Sequence, residues 1–100
     1  MMKASRPHGE TVVDLLKADP EFAAVYLAAA LDEADQPGGQ NALLAALRQI
    51  AEAQGMASVA ERAGIPRESL YRALSPRGNP TLKTLLALLN ATGLRLGVNA

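Results

Sequence analysis

The chain has 100 residues, enough for one domain or one domain with a short arm. Its apolar residues, 49 % of the total, are mostly Ala and Leu, and only 3 % are aromatic, which favours helices packed on helices over a sheet. With no cysteine and zero net charge, it excludes disulfides and thiolate metal sites and declares no bulk affinity for nucleic acid or membrane.

No apolar run approaches the roughly 18 residues of a membrane helix, and the polar start from Met1 to Glu10 does not resemble a signal peptide. A soluble cytoplasmic protein is the expectation. The zero charge hides a division. Residues 1–55 carry four basic against eight acidic residues, a balance of −4, and residues 56–100 carry six against two, a balance of +4. Such asymmetry suits two different partners, although ordinary solvated faces give it too.

In chain order, residues 1–10 are polar and expected to be loose. Thr11 to Ala18, with Val12, Val13, Leu15 and Leu16, reads as a short helix and completes an N-terminal arm over 1–18. Asp19-Pro20-Glu21 is a helix start: Asp caps, Pro suits the first helical position, and Glu complements the dipole. That helix is expected over about 20–34, with Phe22, Val25, Tyr26, Ala29 and Ala30 as its apolar stripe. Asp35 to Gly39 reads as a loop. A longer helix follows from near Asn41 to Gln54, ended by Gly55, with Leu43, Leu44, Leu47, Ile50 and Ala51 facing inward.

Two short helices come next, about 57–63 and 66–74, joined through Gly64. After a loop over 75–80, Thr81 caps a last helix that ends at Gly93. Its Leu82, Leu85, Leu86 and Leu89 are expected in the core, with Leu88 off that stripe at a subunit contact. The tail Leu94-Arg95-Leu96-Gly97-Val98 alternates with the period of a strand. A lone strand needs a partner, most simply a second copy. A tail folded over the core is the other reading.

The pair of short helices carries the functional argument. A helix-turn-helix joins its helices through a tight turn, often with Gly, and lays the second in the major groove of DNA. Ala60 suits a close crossing, Gly64 a positive φ, and Val59, Ile65 and Leu70 the space between the helices. The outward face of the second helix then presents Arg67, Glu68, Ser69, Tyr71 and Arg72. Arg67 or Arg72 can pair with guanine O6 and N7, and Glu68 can accept from cytosine N4. Ser69 and Tyr71 suit phosphate or thymine-methyl contacts, and Arg77 and Lys83 suit the backbone. Similar helix pairs also occur in proteins that never meet DNA.

Gly64-Ile65-Pro66-Arg67-Glu68-Ser69-Leu70-Tyr71-Arg72, the Gly78-Asn79-Pro80-Thr81 loop and a Leu-rich helix closing on Gly93-Leu94 resemble the Xre/phage-repressor helix-turn-helix class. One branch is more similar. Tyr26-Leu27, Ala29-Ala30-Leu31, Ala46-Leu47-Arg48, the run from Ser69 to Ser75, Gly78 to Thr81 and Gly93-Leu94-Arg95-Leu96 resemble the small addiction module antidote proteins. These are antitoxins of RelE/ParE-type toxin–antitoxin pairs, related to HigA. The resemblance covers roughly 19–98.

It implies an all-α, five-helix phage-repressor-like domain over 19–98, with its core at about 41–93, an N-terminal helical extension and a short C-terminal β-strand. It implies a protein that silences a small toxin and, alone or with that toxin, represses its own operon by binding operator DNA. The toxin is expected to be basic, and the homodimer contact at residues 94–98 is the expectation from the alternating tail. Base-facing positions of the class fall on Arg67, Glu68 and Arg72, the groove edge on Pro66, and a phosphate contact on Ser69. Two departures stand out. The first motif helix opens with Gly55-Met56-Ala57 where the class often has a polar residue, and the Gln36 to Gly39 connection differs from the branch's usual join.

Asp32, Glu33 and Asp35 gather at the end of the first long helix, where the helix dipole disfavours negative charge. They are the candidate toxin-binding residues. An enzyme is not expected, because the only histidine, His8, lies in the N-terminal tail and no nucleophilic arrangement, metal cluster or phosphate-cradling loop is present. No cofactor is implied. The competing readings are a stand-alone Xre-type repressor without a toxin and a protein-interaction module without DNA affinity.

Overall fold

The computed structural model describes residues 8–98, which form six α-helices and, among the described residues, no strand. They are α1 (His8–Ala18), α2 (Phe22–Asp32), α3 (Gly39–Gln54), α4 (Met56–Ala63), α5 (Arg67–Ala73) and α6 (Leu82–Thr92). The expected arm over 1–18 is thus helical back to His8, and residues 1–7 lie outside the described part.

α3 is the central element because its apolar residues recur on more than one side. Leu44, Leu47, Ile50 and Ala51 are buried, together with Ala46 and Gln49. α1, α2, α4 and α6 all pack on it. Val12 and Leu16 of α1, Ala23 and Leu27 of α2, Met56 and Val59 of α4, Leu70 and Leu74 around α5, and Leu88 and Leu89 of α6 complete one continuous core.

Two helix ends show why the chain turns where it does. Gly64 has φ +72° and Gly93 φ +81°. After α4, the amide of Gly64 bonds to the Glu61 carbonyl at 3.2 Å and that of Ile65 to the Ala60 carbonyl at 3.0 Å. After α6, Gly93 and Leu94 repeat the pattern on Asn90 and Leu89, at 3.2 and 2.8 Å. Both are Schellman closures, which need a left-handed residue after the helix and an apolar one beyond it. Thr81 starts α6 as expected, its side chain accepting from the Thr84 amide at 3.1 Å.

Four expectations are corrected. α2 begins at Phe22, because Asp19 to Glu21 form a turn in which the Phe22 amide bonds to the Asp19 carbonyl, 3.0 Å, and Asp19 itself still bonds back to Leu15. The fully buried residues of α2 are Ala23 and Leu27; of the expected stripe Phe22 and Tyr26 pack partly buried against the core, while Val25 is 64 % exposed. On α6, Leu89 is buried and Leu85 partly buried as expected, but Leu88 is also buried and Leu82 and Leu86 are exposed. α2 carries apolar residues on nearly every side, so periodicity alone leaves its roll undecided, whereas α6 buries the side of Leu88, opposite its exposed Lys83 and Asn90. Finally, residues 94–98 form no strand. The Leu94 amide is taken by the α6 closure, and Leu94 packs against the core while Leu96 and Val98 stay exposed.

Candidate nucleic-acid interface

α4, the turn over 64–66 and α5 form a compact pair of helices, with α5 packed on α4. Val59, Ala60 and Leu70 are buried between the helices and the rest of the core, and Ile65 is partly buried beside them. Pro66 is the N-cap of α5 in extended geometry, φ −56° and ψ 140°. Proline's ring fixes that φ, so the chain enters α5 with little freedom left to lose.

Burying Leu70 and Leu74 sets the roll of α5. Arg67, Glu68, Tyr71 and Arg72 are then exposed, and Ser69 is half-buried. The residues expected to face outward do so, apart from partial cover of Ser69. Arg77 lies exposed in the turn after α5, and Lys83 exposed in the first turn of α6. Glu68 is the only acid between Arg62 and Ala100. The surface built from α5, its following loop and the start of α6 is therefore positive.

The loop after α5 is held closely. The Gly78 amide bonds to the Ser75 carbonyl at 2.7 Å, and Ser75 Oγ donates to the Arg72 carbonyl at 2.9 Å. A Cβ on Gly78 would overlap the Ala73 carbonyl group. Only glycine lets the returning loop lie against the end of α5.

Two arginines have structural roles that the sequence did not disclose. Arg48 of α3 donates from Nη1 to the Leu74 carbonyl at 2.9 Å. Arg62 of α4 donates from Nε to the Ala91 carbonyl and from Nη2 to Gln54 Oε1, both at 2.9 Å, and Gln54 Nε2 donates to the Thr92 carbonyl. Arg62 thus counts toward the positive half yet serves the C-terminus of α6, where carbonyls lack helical partners and the dipole favours a cation. The only clue was that Arg48 lies four residues after Leu44, at the edge of an apolar stripe.

Over residues 11–100 the chain matches the model of a family described as probable addiction module antidote protein. The chain belongs to this antidote family. It is also 43 % identical over 68 residues to an uncharacterized protein of Haemophilus influenzae, a span covering 68 % of this chain and 70 % of that one. No solved structure matches. Membership supports an antitoxin role, with a toxin as partner.

In this antidote protein the acidic candidates lie apart from α5. Asp32 ends α2, Glu33 is its C-cap, and Asp35 lies in the turn before α3, all exposed. Asp35 nevertheless shares a groove of about 470 Å³ with Leu43, Asn79, Pro80 and Leu85, so the acidic turn borders the loop that carries Arg77. Asp32 lines a second groove, of about 520 Å³, with α2 and the tail. Among the described residues no group of acids or histidines could hold a metal ion, and no helix is long and apolar enough to cross a membrane.

Proposed function

We propose that this antidote protein is a cytoplasmic, DNA-binding antitoxin that neutralises a RelE/ParE-type toxin and represses its own operon by laying α5 in the major groove of the operator. One observation carries the DNA half: α5 buries Leu70 completely and turns Arg67, Glu68, Tyr71 and Arg72 to solvent. Arg67 and Arg72 reach guanine edges and Glu68 a cytosine amine, while Pro66 sits at the groove edge. Ser69, Tyr71, Arg77 and Lys83 contact the sugar–phosphate backbone, fixing register without reading sequence. The departure at Gly55-Met56-Ala57 leaves any phosphate contact at those three residues to backbone N–H groups.

A homodimer sets two copies of α5 in successive major grooves, about 34 Å apart. Leu82 and Leu86 of α6, 69 % and 49 % exposed, support it as an apolar surface close in the chain to α5 and its loop. Family membership supports the toxin half.

A mobility-shift titration tests the reading, using the duplex upstream of the protein's own gene against a random duplex of equal length. Selective retardation of the upstream duplex is expected, and equal retardation of both, or of neither, removes the repressor. Co-expression with the toxin in a growth assay tests the other half. Operator binding without growth rescue would identify a stand-alone Xre-type repressor.

A further inference from the structure

α2 is apolar on almost every side, with Asp32 the only charged residue among its 11. A helix of that kind is ordinarily buried all round. Here only Ala23 and Leu27 are buried, while Ala24, Val25, Ala28 and Ala29 are exposed and Leu31 is 40 % exposed. At helical spacing Ala24, Ala28 and Leu31 make one outward stripe with Val25 at its edge. The stripe forms one wall of the 520 Å³ groove, and Leu94 and Arg95 form the other. Exposed apolar residues set side by side in this way on a small protein are a candidate interaction site.

The ends of the stripe decide what can cover it. Glu21 precedes its first turn, and Asp32 and Glu33 close its last, all exposed. No Lys or Arg occurs between Lys17 and Arg48. A second copy laid on this face, parallel or antiparallel, would bring carboxylates against carboxylates at both ends, and like charges across an interface are costly. Arg95 is the cation among the groove's lining residues, and it shares that groove with the chain's own Asp32.

We propose that the outward face of α2, together with the groove beside the 93–97 tail, seats the toxin, and that the toxin presents there an apolar segment with basic residues at both ends. The two cationic ends are spaced by the length of α2, roughly 16 Å for eleven residues. Ala24 and Ala28 allow the partner's backbone a close approach. This assignment rests on the antitoxin reading and gives it a surface that includes, beyond the acidic turn, an apolar helix face.

Calorimetric titration of the purified toxin into the full chain, at low and high salt, tests it. Ala28→Gln adds bulk on the exposed face without charge. The triple change Glu21→Gln, Asp32→Asn and Glu33→Gln removes charge without bulk. Both should keep the wild-type melting curve. The first is expected to weaken toxin binding at least tenfold at either salt. The second is expected to weaken it mainly at low salt and flatten its salt dependence. If the toxin binds wild type and both variants alike, α2 is not its seat, although the antitoxin reading survives. If the toxin does not bind wild type, that reading falls and this surface with it. Self-association in sedimentation that Ala28→Gln abolishes would assign the face to a second copy and overturn the proposal.

Discussion

Arg48 of α3 and Leu74 at the end of α5 are joined by a hydrogen bond of 2.9 Å from Nη1 to the main-chain carbonyl, 26 residues apart in sequence. The last carbonyls of a helix have no acceptor role inside it, so this guanidinium ties the far end of α5 to the central helix and adds a favourable charge to its dipole. Arg48→Met keeps most of the stem and loses the bond. Chemical denaturation should show a loss of about 1–2 kcal/mol, and hydrogen exchange should rise first in α5. Uniform exchange across all helices would show that Arg48 has no particular hold on α5.

Gly64 and Gly78 are glycines for different reasons, and alanine substitutions should separate them. Nothing lies within 4 Å of a Cβ on Gly64, so Gly64→Ala meets only the left-handed backbone at φ +72°. Its cost should be about 1–2 kcal/mol. A Cβ on Gly78 meets the Ala73 carbonyl, which cannot move without the end of α5. Gly78→Ala should cost about 3 kcal/mol, and it should melt at the lower temperature of the two. The reverse order would mean that the 75–80 loop does not lie against α5.

Tyr26 donates its hydroxyl proton to Gln49 Oε1 at 2.6 Å, and its ring stacks on Phe22 with centroids 5.7 Å apart. Desolvation by burial raises its pKa above the ordinary tyrosine value near 10. The folded chain therefore holds this proton more tightly than the unfolded one. The resulting stability is complete below the unfolded value and is lost as pH rises through the folded one. Tyr26→Phe should cost about 1 kcal/mol at neutral pH, by leaving the buried amide oxygen without its donor. It should also flatten the decline in stability above about pH 10. Melting curves from neutral to alkaline pH would measure both, and parallel alkaline limbs would dissociate Tyr26 from the decline.

The assignment of base and phosphate contacts makes its own prediction. Arg67→Ala and Arg72→Ala should each weaken operator binding by about 1–3 kcal/mol while changing random-duplex binding less. Lys83→Ala should weaken all duplexes alike and lower the slope of log affinity against log salt by about one. Identical behaviour of the three variants in a salt series would remove the distinction.

Much of the candidate site was legible because local chemistry dictates it. A glycine with positive φ, a proline that fixes the entry to α5, and buried Leu70 among polar neighbours leave Arg67 and Arg72 exposed on neighbouring faces of the helix. The partners of Arg48 and Arg62 were not legible, because each bonds to a main-chain carbonyl. A carbonyl is the same in every residue and leaves no trace in the sequence.

Helix starts and stops are written in single residues: Thr81 accepts the Thr84 amide, and Gly64 and Gly93 adopt backbone conformations that side chains resist. The inward face of α3 follows from leucines at helical spacing. Only packing decided the roll of α2, since a helix with apolar residues all round gains similar free energy from several rotations until its neighbours select one. That selection buried Ala23 and Leu27 and left Val25 in water, while the Leu94 amide went to the local helix closure at Gly93 instead of a strand. Short-range backbone preference thus sets where each helix runs, and shape complementarity among helices sets which of their faces are left for partners.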